Sequence, residues 1–177
     1  MSASFTPIGG ESVYQGQIVD VRIERFRHAD GEEVSREVVC HQGAVAIVAY
    51  DGEQVWLVRQ PREAVGEERL LEIPAGRLDK QGEEPLQAAQ RELAEEIGLG
   101  ANGWELIVSY YVSAGITNER VHLFAATDLY ESHAESDENE RIELAPWPLA
   151  ELDAAIAECE DSKTLIGLLW LARRLNA

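Results

Sequence analysis

The sequence predicts an α/β (α+β) sandwich, a mixed sheet covered by helices, and three observations carry that prediction. Short apolar, β-branched runs such as Ala44 to Tyr50 are bounded by turn signals and read as strands. The stretch Gly76 to Leu99, GRLDKQGEEPLQAAQRELAEEIGL, holds a helix in which Leu86, Ala89, Leu93 and Ile97 share one face. Two more helical segments close the chain, and elements mixed in this way pack as a sheet with helices laid over it. The 177 residues, 45% of them hydrophobic, suffice for such a core.

Taken in order, residues 1–11 read as a loose tail. From Tyr14 to Phe26, Val19, Val21 and Ile23 alternate with Asp20, Arg22 and Glu24, the period of a half-buried strand. Ala29-Asp30-Gly31 marks a turn and Glu33 to Cys40 a returning strand, so the pair makes a small N-terminal sheet. Ala44 to Tyr50 is a buried strand, and Asp51-Gly52 turns the chain into a hairpin whose second strand is Val55 to Arg59. Pro61 has no N–H to give a ladder, so it ends that strand and leaves Arg62 at its exit. Leu70 to Ile73, Trp104 to Val112, Arg120 to Ala126 and Arg141 to Leu144 complete the strands, with 129–140 a polar, acidic loop. The helix within 76–99 stops at Gly98, placed for a left-handed cap. Pro148 to Cys159 is a helix with Leu149, Leu152 and Ile156 on one face. Ser162 caps a last helix packed by Leu165, Leu168, Leu169 and Leu175.

The net charge of −18 argues against a nucleic-acid or membrane-surface protein, which would present a basic patch. No apolar run approaches the roughly 18 residues of a membrane span. MSASFTPIGGES lacks the basic and apolar regions of a signal peptide, and Cys40 and Cys159 have no metal-like spacing; a reduced cytoplasmic setting is the simplest.

Glu92, Glu95 and Glu96 are neighbours on a second face of the central helix. Like charges at such spacings destabilise an isolated helix by about 0.2–0.5 kcal/mol per pair. A hard divalent cation reverses that sign, and converging carboxylates suit Mg²⁺ or Mn²⁺. A solvated acidic stripe is the plainer alternative.

The segment resembles the signature of the Nudix hydrolases: glycine, spacer, glutamate, seven residues, then Arg-Glu-aliphatic-x-Glu-Glu-x-Gly-aliphatic. Glu83, Arg91, Glu92, Leu93, Glu95, Glu96, Gly98 and Leu99 all fit. Gly76 to Glu83 leaves six residues where the family usually has five, an insertion expected to be absorbed at Gly82. The flanks, including Arg36-Glu37-Val38-Val39, Val58-Arg59-Gln60-Pro61-Arg62 and Glu72-Ile73-Pro74-Ala75-Gly76, look like the ADP-ribose pyrophosphatase branch. So does Ser113-Ala114-Gly115-Ile116-Thr117-Asn118-Glu119-Arg120, with Ala114 where that branch usually has proline.

The resemblance implies an α/β/α sandwich with a mixed sheet. It implies a catalytic domain over 43–177 and N-terminal strands in 1–42 that serve a homodimer. The implied activity is Mg²⁺-dependent hydrolysis of ADP-ribose or a related nucleoside-diphosphate sugar, giving AMP and a sugar phosphate. Glu92, Glu96 and the Ala75 carbonyl would be metal ligands, with Glu95 supporting a metal directly or through water. Arg91 would orient carboxylates, and Glu83 would orient Arg91 or the helix. Asp137-Glu138-Asn139-Glu140 matches the acidic loop that supplies the base, assigned to Glu138 with Glu140 as its helper; ESDENE also reads as a plain solvated loop. Arg36 and Arg62 would contact phosphate or terminal ribose, and Glu119, in the loop with Gly115, would meet ribose hydroxyls or hold a metal, with a structural role as its alternative. Tyr14 or Phe26 would meet the base, Phe26 having a core role as its alternative. His41 and His122 read as structural. Competing substrates are GDP-mannose, UDP-sugars or an oxidised nucleoside triphosphate. A silent nucleotide-sugar sensor is a further alternative, disfavoured by the intact Arg91, Glu92, Glu95 and Glu96 set.

Overall fold

The computed structural model describes residues 4–132, 134 and 141–177. Its strands in chain order are β1 (Phe5–Gln15), β2 (Asp20–His28), β3 (Glu33–Cys40), β4 (Ala44–Tyr50), β5 (Gln54–Arg62), β6 (Glu67–Glu72), β7 (Ala75–Arg77), β8 (Leu99–Tyr111), β9 (Arg120–Glu131) and β10 (Glu143–Pro148). The helices are α1 (Pro85–Ile97), α2 (Leu152–Glu158) and α3 (Ser162–Leu175). The chain divides into two compact units: the residues through Gly43 with Tyr110–Arg120, and Ala44–Ser109 with Val121–Ala177.

In the first unit, β1, β2 and β3 form an antiparallel sheet in that order. The expected loose tail is therefore a strand from Phe5 onward, paired Phe5↔His28 through Gln15↔Asp20. Periodicity missed β1 because nearly all its side chains are exposed, so no alternation records a buried face. Its register also slips at Pro7/Gly9 and Ser12/Tyr14. The single strand expected from Tyr14 to Phe26 is instead a hairpin, closed where the Gly16 N–H donates to the Val19 carbonyl at 2.9 Å. The 113–118 loop is tied to β3: the Val39 N–H donates to Ile116 O at 2.8 Å, and Thr117 Oγ1 donates to Val39 O at 2.8 Å.

In the second unit the sheet runs β10-β5-β4-β9-β8, with β6 beside β5 and β7 beside β4. β4 is parallel to β9 and antiparallel to β5 and β7, so the sheet is mixed as expected. β4 is apolar throughout because both its faces are covered. Val45, Ile47 and Ala49 share one cluster with Ala88, Ala89, Leu93 and Ile97 of α1. On the opposite face, a Cβ added at Gly167 of α3 would lie 2.7 Å from Val48 Cγ2 and 3.3 Å from Ile73 Cδ1. Helices on both faces make the α/β/α sandwich. Each fully buried Ile or Leu in it contributes about 1.5–3 kcal/mol of hydrophobic stabilisation.

Helix α1 starts at Pro85, whose missing N–H costs nothing in the first turn. The Glu84 N–H donates to Gln87 Oε1 at 3.0 Å. It ends at Gly98 with φ +69, whose N–H donates to Ala94 O at 3.1 Å, the cap the sequence predicts. Several boundaries move. β5 runs through Pro61 to Arg62, because its pairing with β6 slips between Gln60 and Arg62 and no ladder bond is asked of the proline. The strand expected at Leu70 to Ile73 starts at Glu67, and β7 is an unanticipated strand. β8 begins directly after Gly98, β9 continues to Glu131 into the expected loop, and β10 overlaps the expected Arg141 to Leu144 at Glu143 and Leu144 but runs on to Pro148. The segment after Pro148 opens as a 3-10 turn over Leu149–Glu151 before α2. Asp161, not Ser162, caps α3, its Oδ2 accepting from the Thr164 N–H at 2.9 Å. Leu86, Leu169 and Leu175 are exposed, whereas Leu93 and Leu168 are buried as expected and Leu171, not expected, joins them. Among the described residues no helix is long and apolar enough to cross a membrane.

Candidate active site

The apolar face of α1 fixes where its acidic face points. With Ala88, Ala89, Leu93 and Ile97 against β4, Glu92 is carried into the protein and is only 8% exposed. Arg91 organises the carboxylates around it. Its Nε and Nη2 donate to the two oxygens of Glu83 at 2.9 and 3.0 Å. Its Nη1 donates to Glu92 Oε1 and to Glu95 Oε2, both at 2.7 Å. Glu83 thus sits on Arg91, as the resemblance implies. This bonding drives the Arg91 guanidinium further above its ordinary pKa and holds Glu83 below the usual carboxylate range. Lys80 Nζ adds a longer contact to Glu95, 3.7 Å.

The other wall is β7 and its approach. Ala75 and Gly76 pair with Ala46 and Val45 of β4, which lays their backbone beside α1. The Ala75 N–H donates to Glu96 Oε2 at 3.1 Å. A Cβ on Gly76 would lie 1.9 Å from Glu92 Cδ and 2.0 Å from Glu92 Oε1. Glycine at this position is therefore the seat of the Glu92 carboxylate. The donor set of Glu92, Glu95, Glu96 and backbone oxygen is all oxygen, which fits a hard divalent cation. As the side chains stand, no three His, Cys, Asp or Glu among the described residues enclose an ion. Arg91 Nη1 binds both Glu92 and Glu95.

A second cluster borders β6. Glu72 is fully buried and receives the Arg62 fork, Nε to Oε1 at 2.6 Å and Nη2 to Oε2 at 2.8 Å. Lys163 Nζ donates to the same Oε2 at 2.5 Å and lies 3.0 Å from Asp161 Oδ2. Thr164 Oγ1 donates to Asp161 Oδ2 at 2.6 Å and accepts from the Ile73 N–H at 2.9 Å. Bonding to Glu72 raises the Arg62 pKa.

A sheet that sets a glycine under a helical carboxylate, with an arginine clamping its neighbours, has recognisable relatives. The NUDIX domain model matches residues 41–166. The chain belongs to the NUDIX family. This NUDIX chain is 36% identical over 169 residues to the ADP-ribose pyrophosphatase of Bacillus subtilis (strain 168), covering 93% of the chain and 90% of that protein. It is 36% identical over 166 residues to the methanol dehydrogenase activator of Bacillus methanolicus, covering 91% of the chain and 89% of that protein. A solved structure described as an ADP compounds hydrolase shares the fold with a TM-score of 0.86, over 99% of this chain and 97% of that one, at 24% identity. In enzymatic class this NUDIX protein is a Nudix pyrophosphohydrolase.

The remaining sequence-predicted residues fall elsewhere. Glu138, with Asp137, Asn139 and Glu140, lies outside the described residues. Arg36, Gly115 and Glu119 belong to the first unit. Arg36 is exposed on β3 opposite Glu24, and its Nη1 donates to Ser35 O at 2.8 Å. Gly115 lies in a turn where the Ile116 and Thr117 N–H groups both donate to Ser113 O at 3.0 Å. Glu119 Oε1 stands 3.7 Å from His41 Nδ1. That nitrogen also accepts from the Gly43 N–H at 3.0 Å. His122 Nδ1 lies 2.8 Å from Ser109 Oγ. Sequence reasoning missed Glu72, Asp161, Lys163 and Thr164. The one available signal was Glu72 itself, a lone charge within the apolar run Leu70-Leu71-Glu72-Ile73.

Proposed function

We propose that this protein hydrolyses the diphosphate of ADP-ribose or a related nucleoside-diphosphate sugar, with Mg²⁺, to AMP and a sugar phosphate. The carrying observation is the seat at Gly76, which brings the Glu92 carboxylate against the β7 backbone while Ala75 holds Glu96. The Bacillus subtilis relative supplies the substrate class. Glu92, Glu95, Glu96 and the Ala75 carbonyl would hold Mg²⁺ (or Mn²⁺), which when bound neutralises charge on the diphosphate and acidifies water.

The chain's own residues do the rest. Arg91 keeps Glu83, Glu92 and Glu95 aimed by spending its whole fork on them. Glu138 takes a proton from the attacking water; an ordinary glutamate, with pKa about 4.3, is already ionised at neutral pH, so placement decides its use. The water oxygen bonds to phosphorus, the bridging P–O bond breaks, and the displaced phosphate leaves as a monoester. Arg62 and Arg36 bind phosphate or terminal ribose, and Glu119 with the Gly115 loop meets ribose hydroxyls. In this reading residues 1–42 serve a homodimer beside a catalytic domain over 43–177, and the setting is cytoplasmic.

The test is product analysis with a panel of ADP-ribose, GDP-mannose, UDP-sugars and oxidised nucleoside triphosphates plus Mg²⁺ or Mn²⁺. AMP and ribose phosphate from ADP-ribose, abolished by Glu96→Gln in a folded variant, are expected. Turnover of none of these with either metal would overturn the reading. A second reading, activation of a dehydrogenase, draws on the equally similar Bacillus methanolicus relative. A methanol dehydrogenase assay with and without the chain tests it: acceleration supports it and an unchanged rate removes it.

A further inference from the structure

Helix α3 lies outside the NUDIX signature, yet its first turn grips the strand that leads into the site. Glu72 is the hub. A fully buried carboxylate needs cationic and hydrogen-bonded partners, and Glu72 has two cations. Its Oε1 takes Arg62 Nε, while its Oε2 is shared between Arg62 Nη2 and Lys163 Nζ. Lys163 is in turn held by Asp161, the cap of α3, which also accepts from Thr164. One edge of the Arg62 guanidinium is fixed by this anchor, and the side chain as a whole remains 42% exposed. That is how an arginine is prepared to meet an anion: bidentate on one side, with its rotamers already restricted.

We propose that Lys163, braced by Asp161, is a positioning residue: through the buried Glu72 carboxylate it aims Arg62 at the substrate's phosphate or terminal ribose. The inference rests on the role given to Arg62 above. Without Lys163, Glu72 keeps a single cation, and its carboxylate, still bonded to Arg62 through both oxygens, loses the second donor that fixes its orientation. Arg62 then loses its fixed aim while staying charged and present. Binding contacts of this kind act on substrate and transition state alike, so their loss appears in KM and not in kcat.

The experiment is steady-state hydrolysis of ADP-ribose with Mg²⁺ by the full chain and by Lys163→Met, Lys163→Arg, Asp161→Asn, Arg62→Ala and the Lys163→Met/Arg62→Ala double variant, each with a thermal melt. Lys163→Met is expected to raise KM about tenfold, the loss of part of one charged hydrogen bond, with kcat within about twofold. Lys163→Arg restores KM. Asp161→Asn, which preserves the cap, raises KM by about twofold to threefold and decides the matter if Lys163→Met does not fold. The double variant matches Arg62→Ala, because Lys163 has nothing left to aim. Four results overturn the proposal: an unchanged KM in folded Lys163→Met, an unchanged KM in Asp161→Asn where that variant decides, additive effects in the double variant, or an unchanged KM in Arg62→Ala. The last removes the role of Arg62 as well. Absence of turnover by the unaltered protein is separate, since it overturns the proposed function itself.

Discussion

Gly76→Ala tests the seat of Glu92 with one methyl group. The new Cβ would stand 1.9 Å from Glu92 Cδ, where ordinary contact begins at 3.4 Å, so the carboxylate must retreat by about 1.5 Å. That retreat draws Glu92 Oε1 away from the place where it accepts from Arg91 Nη1 at 2.7 Å. Displacing a site group by about 1 Å can cost a factor near 100 in rate, or about 2.7 kcal/mol of transition-state stabilisation. The fold should suffer far less. Gly76 lies outside the left-handed region, so alanine suits its backbone and adds about 0.4–1 kcal/mol through the unfolded chain. Against this stands the weakening of one charged hydrogen bond, about 1.5–3 kcal/mol. The net is a loss of about 1–2 kcal/mol and a drop in Tm of several degrees. Gly82→Ala is the opposite control: φ is +79 and nothing lies within 4 Å of an added Cβ. It should cost about 1–2 kcal/mol of stability and leave activity alone. The assay pairs AMP release from ADP-ribose with a thermal melt. If Gly76→Ala kept activity within about threefold of the parent, the seat would have no bearing on catalysis.

Thr164→Val leaves the Ile73 N–H buried without its acceptor and should lower stability by about 1–3 kcal/mol in a denaturant titration; a midpoint equal to the parent's would contradict the bonding described. Glu83 has a folded pKa below its unfolded value because it is bonded to Arg91. Its stabilisation is therefore present in full above about pH 4.3 and lost as pH falls through the lower folded value. Acid melts should show Glu83→Gln converging on the parent below that window, and a stability difference independent of pH would refute the linkage. Glu138→Gln should slow hydrolysis by about 100-fold or more with little change in KM; an unchanged rate would move the base to Glu95 or Glu140.

What the sequence revealed follows physical lines. The buried strand Ala44–Tyr50 was legible as a continuous apolar run, the strand Glu33–Cys40 from the turn at Ala29-Asp30-Gly31 before it, and the helix ending at Gly98 because burial of one face imposes a period and the cap needs φ > 0. β1 was not, because an exposed strand held by backbone pairing leaves no apolar rhythm. Pro61 misled for a different reason: a register slip excuses a proline from donating, and no local pattern announces a slip. At the site, α1 periodicity placed Glu92, Glu95 and Glu96 beside one another, but not the approach of Gly76 to Glu92, sixteen positions away along the chain. Lys163 and Glu72 are further apart still, and each alone reads as an ordinary charged residue.

Three glutamates on one helical face look, from sequence, like repulsion awaiting a cation. The fold offsets that repulsion before any ion is considered. Each like-charge pair costs about 0.2–0.5 kcal/mol, whereas each hydrogen bond to a charged group contributes about 1.5–3 kcal/mol. Arg91 makes two bonds of this kind within the cluster and two more to Glu83. Crowding alone therefore does not require a metal. What points to one is the delivery of Glu92 and Glu96 to the backbone of Ala75 and Gly76, since an ion-paired surface helix has no need of a strand with its side chain removed. The two explanations part in calorimetry. If the Arg91 clamp were the whole purpose of the cluster, Gly76→Ala would take up magnesium no differently from the parent. If the seat holds a metal ligand, uptake should weaken in step with turnover.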